Sequence, residues 1–128
     1  MKYYFSKSFE GSYDEAIAKV TECLKEEGFG ILTEIDVKKT LKMKIDADFR
    51  KYIILGACNP AFAYKALQAE AHIGLMLPCN VIVQEMDDGT VEVAAIDPAA
   101  SMQAIENPAL GDIATAVREK MAAVIDKL

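Results

Sequence analysis

VIVQEMDDGTVEVAAI, residues Val81 to Ile96, decides the fold. Val81 to Met86 and Thr90 to Ile96 form two strands joined through Asp87-Asp88-Gly89, because glycine accepts the positive φ of a tight hairpin turn. Upstream, YIILGA (Tyr52 to Ala57) is a β-branched run suited to a buried central strand. Asn59-Pro60 then starts a helix, with Asn as N-cap and Pro at the first helical position, and Phe62, Ala66 and Leu67 supply its apolar face. The apolar stretch HIGLML (72–77) connects this helix to the hairpin with no pattern that fixes its form. Downstream, Asp97-Pro98 and Asn107-Pro108 repeat the cap-plus-proline device. The second opens the longest helix, with Leu110, Ile113, Ala114, Val117, Met121, Val124 and Leu128 on one face.

The first half completes the sheet. Residues 2–9 (KYYFSKSF) are aromatic-rich and bounded by Gly11, as a strand would be. Ser12 and Glu15 make a capping box for a helix whose stripe is Tyr13, Ala16, Ile17, Val20 and Leu24, stopped by Gly28. Phe29 to Val37 alternates as a strand. Residues 37–45 carry two patterns: Leu41, Met43 and Ile45 alternate, while Val37, Leu41 and Ile45 are spaced by four. Asp36 as N-cap favours a short helix there.

One domain over residues 1–128 is therefore expected, of the α+β class. It has a mainly antiparallel five-stranded sheet covered on one face by helices, in the order β-α-β-(short α)-β-α-β-β-α. A sheet with one face short of helical cover invites a partner subunit.

Composition narrows the function. The chain has 128 residues, is 52% hydrophobic and carries a formal charge of −6, which excludes disorder and argues against nucleic-acid or membrane-surface binding. The amino terminus lacks the unbroken apolar stretch of a signal peptide. Three cysteines, Cys23, Cys58 and Cys79, suit reduced thiols in the cytoplasm. Between Lys38 and Lys51 the charge is locally +4, and Lys42 and Lys44 are candidates to meet a small anionic ligand. An ordinary solvated helix face is the plainer account of them.

No phosphate-loop, dinucleotide, zinc-protease or C-x-x-C motif occurs. The single histidine, His72, rules out a two-histidine metal site within one chain and reads as a partly exposed helix-terminal side chain. A repeated dipeptide is more informative: Cys58-Asn59 in GACNP and Cys79-Asn80 in LPCNV, each at a strand boundary beside a proline. Cys58 precedes a helix start, where unpaired N–H groups and the helix dipole favour a thiolate. If their strands are neighbours, the two thiols converge on one side of the sheet. Two small buried hydrophobes is the competing account. Cys23 lies beside the first helix's core stripe and packs. Glu34 and Asp36, at i and i+2, share a strand face and could divide acid and base roles or ligate a cation. The plainer account has Asp36 serving only as a cap and Glu34 as a lysine's partner.

GFGILTEID (Gly28 to Asp36), ILGACNP (Ile54 to Pro60), GLMLPCNV (Gly74 to Val81) and IDP (Ile96 to Pro98) resemble, in order, the domain-of-unknown-function family three hundred and two. The resemblance implies a TATA-binding-protein-like α+β fold and a homodimer, with no established reaction, cofactor or substrate. Both CN motifs are part of it, which adds weight to the cysteine pair.

Three functions compete. The first is a dimeric binding module whose Cys58, Asn59, Cys79, Asn80, Glu34, Asp36, Lys42 and Lys44 line a pocket for a small ligand. A metal is included, with Cys58 and Cys79 as its ligands, though two thiols are too few for structural zinc. The second is a thiol redox enzyme or sensor with Cys58 as nucleophile and Cys79 as resolving thiol. The third is a structural or interaction domain without a site.

Overall fold

The computed structural model describes residues 2–128. Its strands are β1 (Tyr4–Phe9), β2 (Gly30–Asp36), β3 (Tyr52–Cys58), β4 (Cys79–Glu85) and β5 (Val91–Ile96). They form one sheet in the order β1-β5-β4-β3-β2, and all four pairings are antiparallel. The helices are α1 (Tyr13–Glu26), α2 (Val37–Ile45), α3 (Pro60–Ala69), α4 (Pro98–Ser101) and α5 (Ala109–Asp126). The element order broadly matches the expected one, with the short α4 added between β5 and α5 where Asp97-Pro98 repeats the cap-plus-proline device.

Local chemistry sets the boundaries. Ser12 Oγ accepts from the Glu15 N–H at 3.0 Å while Glu15 Oε1 accepts from the Ser12 N–H at 3.1 Å, so two orphan donors at the α1 start are satisfied reciprocally. Asp36 Oδ1 accepts from the Lys39 N–H at 3.0 Å, and this cap resolves residues 37–45 as helix. Asn59 Oδ1 accepts from the Phe62 N–H at 3.4 Å at the α3 start. The HIGLML stretch becomes a single 3₁₀ turn, Ile73–Met76, anchored by a fully buried Ile73. At α5 the regular helix begins at Ala109, and Asn107 Oδ1 accepts from its N–H at 3.1 Å.

One sheet face is packed. Alternation sends Leu55, Ala57, Cys79, Val81, Val83, Val91, Val93 and Ala95 into a core against the buried stripes of α1 (Ala16, Val20, Leu24) and α5 (Val117, Met121, Val124). Cys23 is part of this core, as its place beside the α1 stripe suggested. The opposite phase of the same strands forms an open face in three rows that cross the sheet. One row carries Tyr52, Gln84 and Glu92; the next Ile54, Ile82 and Ala94; the last Gly56, Asn80 and Ile96. Over the last row, a Cβ added to Gly56 would collide with Thr33 Oγ1 and come within 2.8 Å of Pro78 Cγ. Gly56 is what lets β2 and the segment before β4 close over this row.

Candidate functional site

Strand register brings the two CN motifs together. Ala57 lies opposite Cys79, so Cys79 shares the core phase with Ala57, whereas Cys58, the last residue of β3, is in phase with Gly56 and Ile54. Alternation thus corrects the expectation that both thiols lie on one side of the sheet, although both sit at the same end of the β3–β4 pair. Both border a cavity of about 30 Å³, with Phe29, Phe62, Ala66 and Val117 among its apolar walls. Cys79 is buried and Cys58 half-buried. Burial pushes the Cys79 thiol up to about 11, and its neighbour Cys58 adds to the shift. Cys79 is therefore a neutral thiol at physiological pH. Cys58 closes β3 immediately before the α3 start, as its sequence position required.

The asparagines divide. Asn59 caps α3 and its amide packs against Gly28, where an added Cβ would come within 3.0 Å of Nδ2; Gly28 also has φ +86. Its place in the motif is thus explained by the turn. Asn80 sits opposite Gly56 on the open face, one residue out of phase with Cys79. A one-residue step along a strand reverses the face, so Asn80 does not share the cysteine cavity.

The carboxylates and lysines stand elsewhere, which corrects the expectation of one combined pocket. Gly30 lies opposite Cys58, whereas Asp36 lies opposite Ile53 at the other end of the strands. Six residues of extended chain separate these positions by about 20 Å. Asp36 is spent on the α2 cap, and Glu34 makes no ion pair among the described residues. Lys42, on the exposed α2, is held by its own chain through Asp46 at 2.9 Å and Asp48 at 3.2 Å, and Lys44 is exposed beside it. The His72 side chain is 85% exposed. Among the described residues no group of three or more His, Cys, Asp or Glu could hold a metal ion, and no helix is long and apolar enough to cross a membrane.

A family model described as domain of unknown function DUF302 matches residues 5–128. The chain belongs to DUF302. Its fold matches the crystal structure of an uncharacterized conserved DUF302 protein from Bacillus stearothermophilus, with 30% sequence identity and a TM-score of 0.91 over 99% of this chain and 98% of that one. No curated protein matches it. In this DUF302 chain GACNP and LPCNV lie at one end of the β3–β4 pair.

Sequence reasoning missed a second group. Arg50 donates from Nε and Nη2 to Gln84 Oε1 at 2.9 and 2.8 Å, and Gln84 Nε2 donates to Glu92 Oε1 at 2.8 Å. These residues come from three chain segments with no shared motif. Only the out-of-place polar residues in otherwise apolar strands, Gln84 and Glu92, signalled them.

Proposed function

We propose that this DUF302 protein is a non-enzymatic binding module whose Cys58–Cys79 cavity takes a soft, atom-sized guest, a metal ion such as Cu(I). The observation that carries this reading is the small cavity of about 30 Å³ that both cysteines border, above the roughly 10–15 Å³ that one water-sized guest needs. A guest of that size among apolar walls and two sulfurs is a soft ion, which thiolates select. Zinc would require further ligands. Among the described residues no acid–base pair lines the cavity, which favours binding over hydrolysis. The thiol-redox reading, with Cys58 as nucleophile and Cys79 as resolving thiol, has weaker support because burial keeps Cys79 neutral. Three free thiols suit a reducing compartment, and we place the protein in the cytoplasm on that ground.

Titration of the reduced protein with Cu(I) against a competing chelator tests the reading. One ion per chain is expected, binding tighter as pH rises because the Cys79 proton must leave. Cys23→Ser should retain the ion, and Cys58→Ser and Cys79→Ser should each lose it. Equal binding by all three variants, or none by the unaltered protein, would return both cysteines to packing.

A further inference from the structure

We infer that the open sheet face carries a second site, one for a free α-amino acid with an apolar side chain, bound between Arg50 and Glu92. The argument starts from how the two charges are held. Arg50 and Glu92 are both half-buried, and neither forms an ion pair among the described residues. They do not meet each other because Gln84 stands between them, its carbonyl taken by Arg50 and its amide N–H by Glu92.

Gln84 is only 8% exposed and bonded at both ends, so it cannot swing aside. The Arg50 guanidinium is fixed in turn over two rings, 4.5 Å from the Phe49 centroid and 5.5 Å from that of Tyr52. The arrangement is a cation and an anion held apart by one amide, at most about 8 Å from each other. Direct pairing would satisfy both; the amide between them leaves each with capacity to bond outward. Arg50 has N–H groups that Gln84 does not use, and Glu92 has a second oxygen.

An α-amino acid is the mirror of this pair. Its carboxylate and ammonium leave the same carbon, with O and N about 3 Å apart, and one hydrogen bond at each end gives the span the Gln84 bridge already sets. The carboxylate goes to Arg50 and the ammonium to Glu92. A ligand with a single charge leaves one protein ion unmatched, which is how the site would reject simple acids and amines. The adjacent row of the open face, Ile82 and Ala94, is apolar and receives the side chain. Gln84, Glu92, Ile82, Ala94 and Tyr52 line one concavity of about 390 Å³, within the roughly 300–1,000 Å³ usual for small-ligand sites. Arg50 is not part of that lining and joins it through Gln84 Oε1. The Gln84–Glu92 row lies toward the opposite end of β3 and β4 from the cysteine cavity.

The test is calorimetric titration of the unaltered protein with L-leucine, L-leucinamide, which lacks the carboxylate, and isocaproate, which lacks the ammonium. L-leucine is expected to bind about tenfold or more tightly than either analogue, the usual loss for one charged hydrogen-bonding partner. Arg50→Met should abolish its advantage over L-leucinamide, and Glu92→Gln its advantage over isocaproate. Because the analogue series needs no substitution, misfolding of a variant cannot rescue or sink the idea. Equal binding of all three compounds, or no L-leucine binding at millimolar concentration, would overturn it.

Discussion

Cys79 shows how one residue's surroundings become a property of the whole fold. Its thiol is pushed from 9.0 up to about 11 by burial, so the folded chain holds the proton more tightly than the unfolded chain does. A raised folded value gives stability that is fully present below pH 9 and lost as pH climbs toward 11, where only the unfolded state readily ionises. Urea midpoints should therefore fall across that window. Cys79→Ala, though less stable at neutral pH through the volume it removes, should show a shallower fall. Parallel slopes for the two proteins would mean that other groups govern the alkaline limb. Nothing in the LPCNV motif foretells this shift, because it depends on helix α5 and Phe62 closing over the sulfur's cavity.

At the scale of elements, caps decide where the chain turns, and Asp97 does so from a buried position. Its Oδ1 accepts from the Ala99 N–H at 3.0 Å to start α4, and its Oδ2 accepts from Arg118 Nε at 3.0 Å, which ties α4 to α5. Arg118 is 47% exposed, so solvent screens the ion pair and the cap carries the larger share. Asp97→Ala should cost about 1–2 kcal/mol in urea unfolding, and Asp97→Asn, which still caps, less than half as much. If the two variants cost the same, the charge rather than the cap holds the corner. The cap was readable in IDP because Asp before Pro is a local signal. The Arg118 contact was not, since it joins residues 21 positions apart across a turn.

For the molecule as a whole, the open sheet face and the 3₁₀ turn leave large apolar groups in water. Leu75 is 85% exposed although the turn that carries it is anchored by a buried Ile73. We propose a two-fold homodimer in which Leu75 and Met76 contact the second copy, beside the Asn80–Ile96 end of the open face. Sedimentation should give a species of twice 14.0 kDa, and Leu75→Asp should shift it to the monomer. A concentration-independent 14.0 kDa species for the unaltered chain would remove this assembly.

The order of the strands and of all helices but the short α4, the antiparallel hairpin and the α1 and α5 core stripes came from sequence alone, because periodicity and caps act within a few residues. Even residues 37–45, where two periodicities compete, were settled by one local hydrogen bond from Lys39 to Asp36. What surrounds each candidate residue was decided by register and packing, which act between segments far apart in the chain. The register of β3 on β4 puts Cys58 and Cys79 at one end of the strand pair, but in opposite strand phases, and sends Asn80 to the face away from Cys79. That of β2 on β3 carries Asp36 away from the cysteines, while the pairing of β4 with β5 builds the Gln84–Glu92 bridge, for which no local pattern exists.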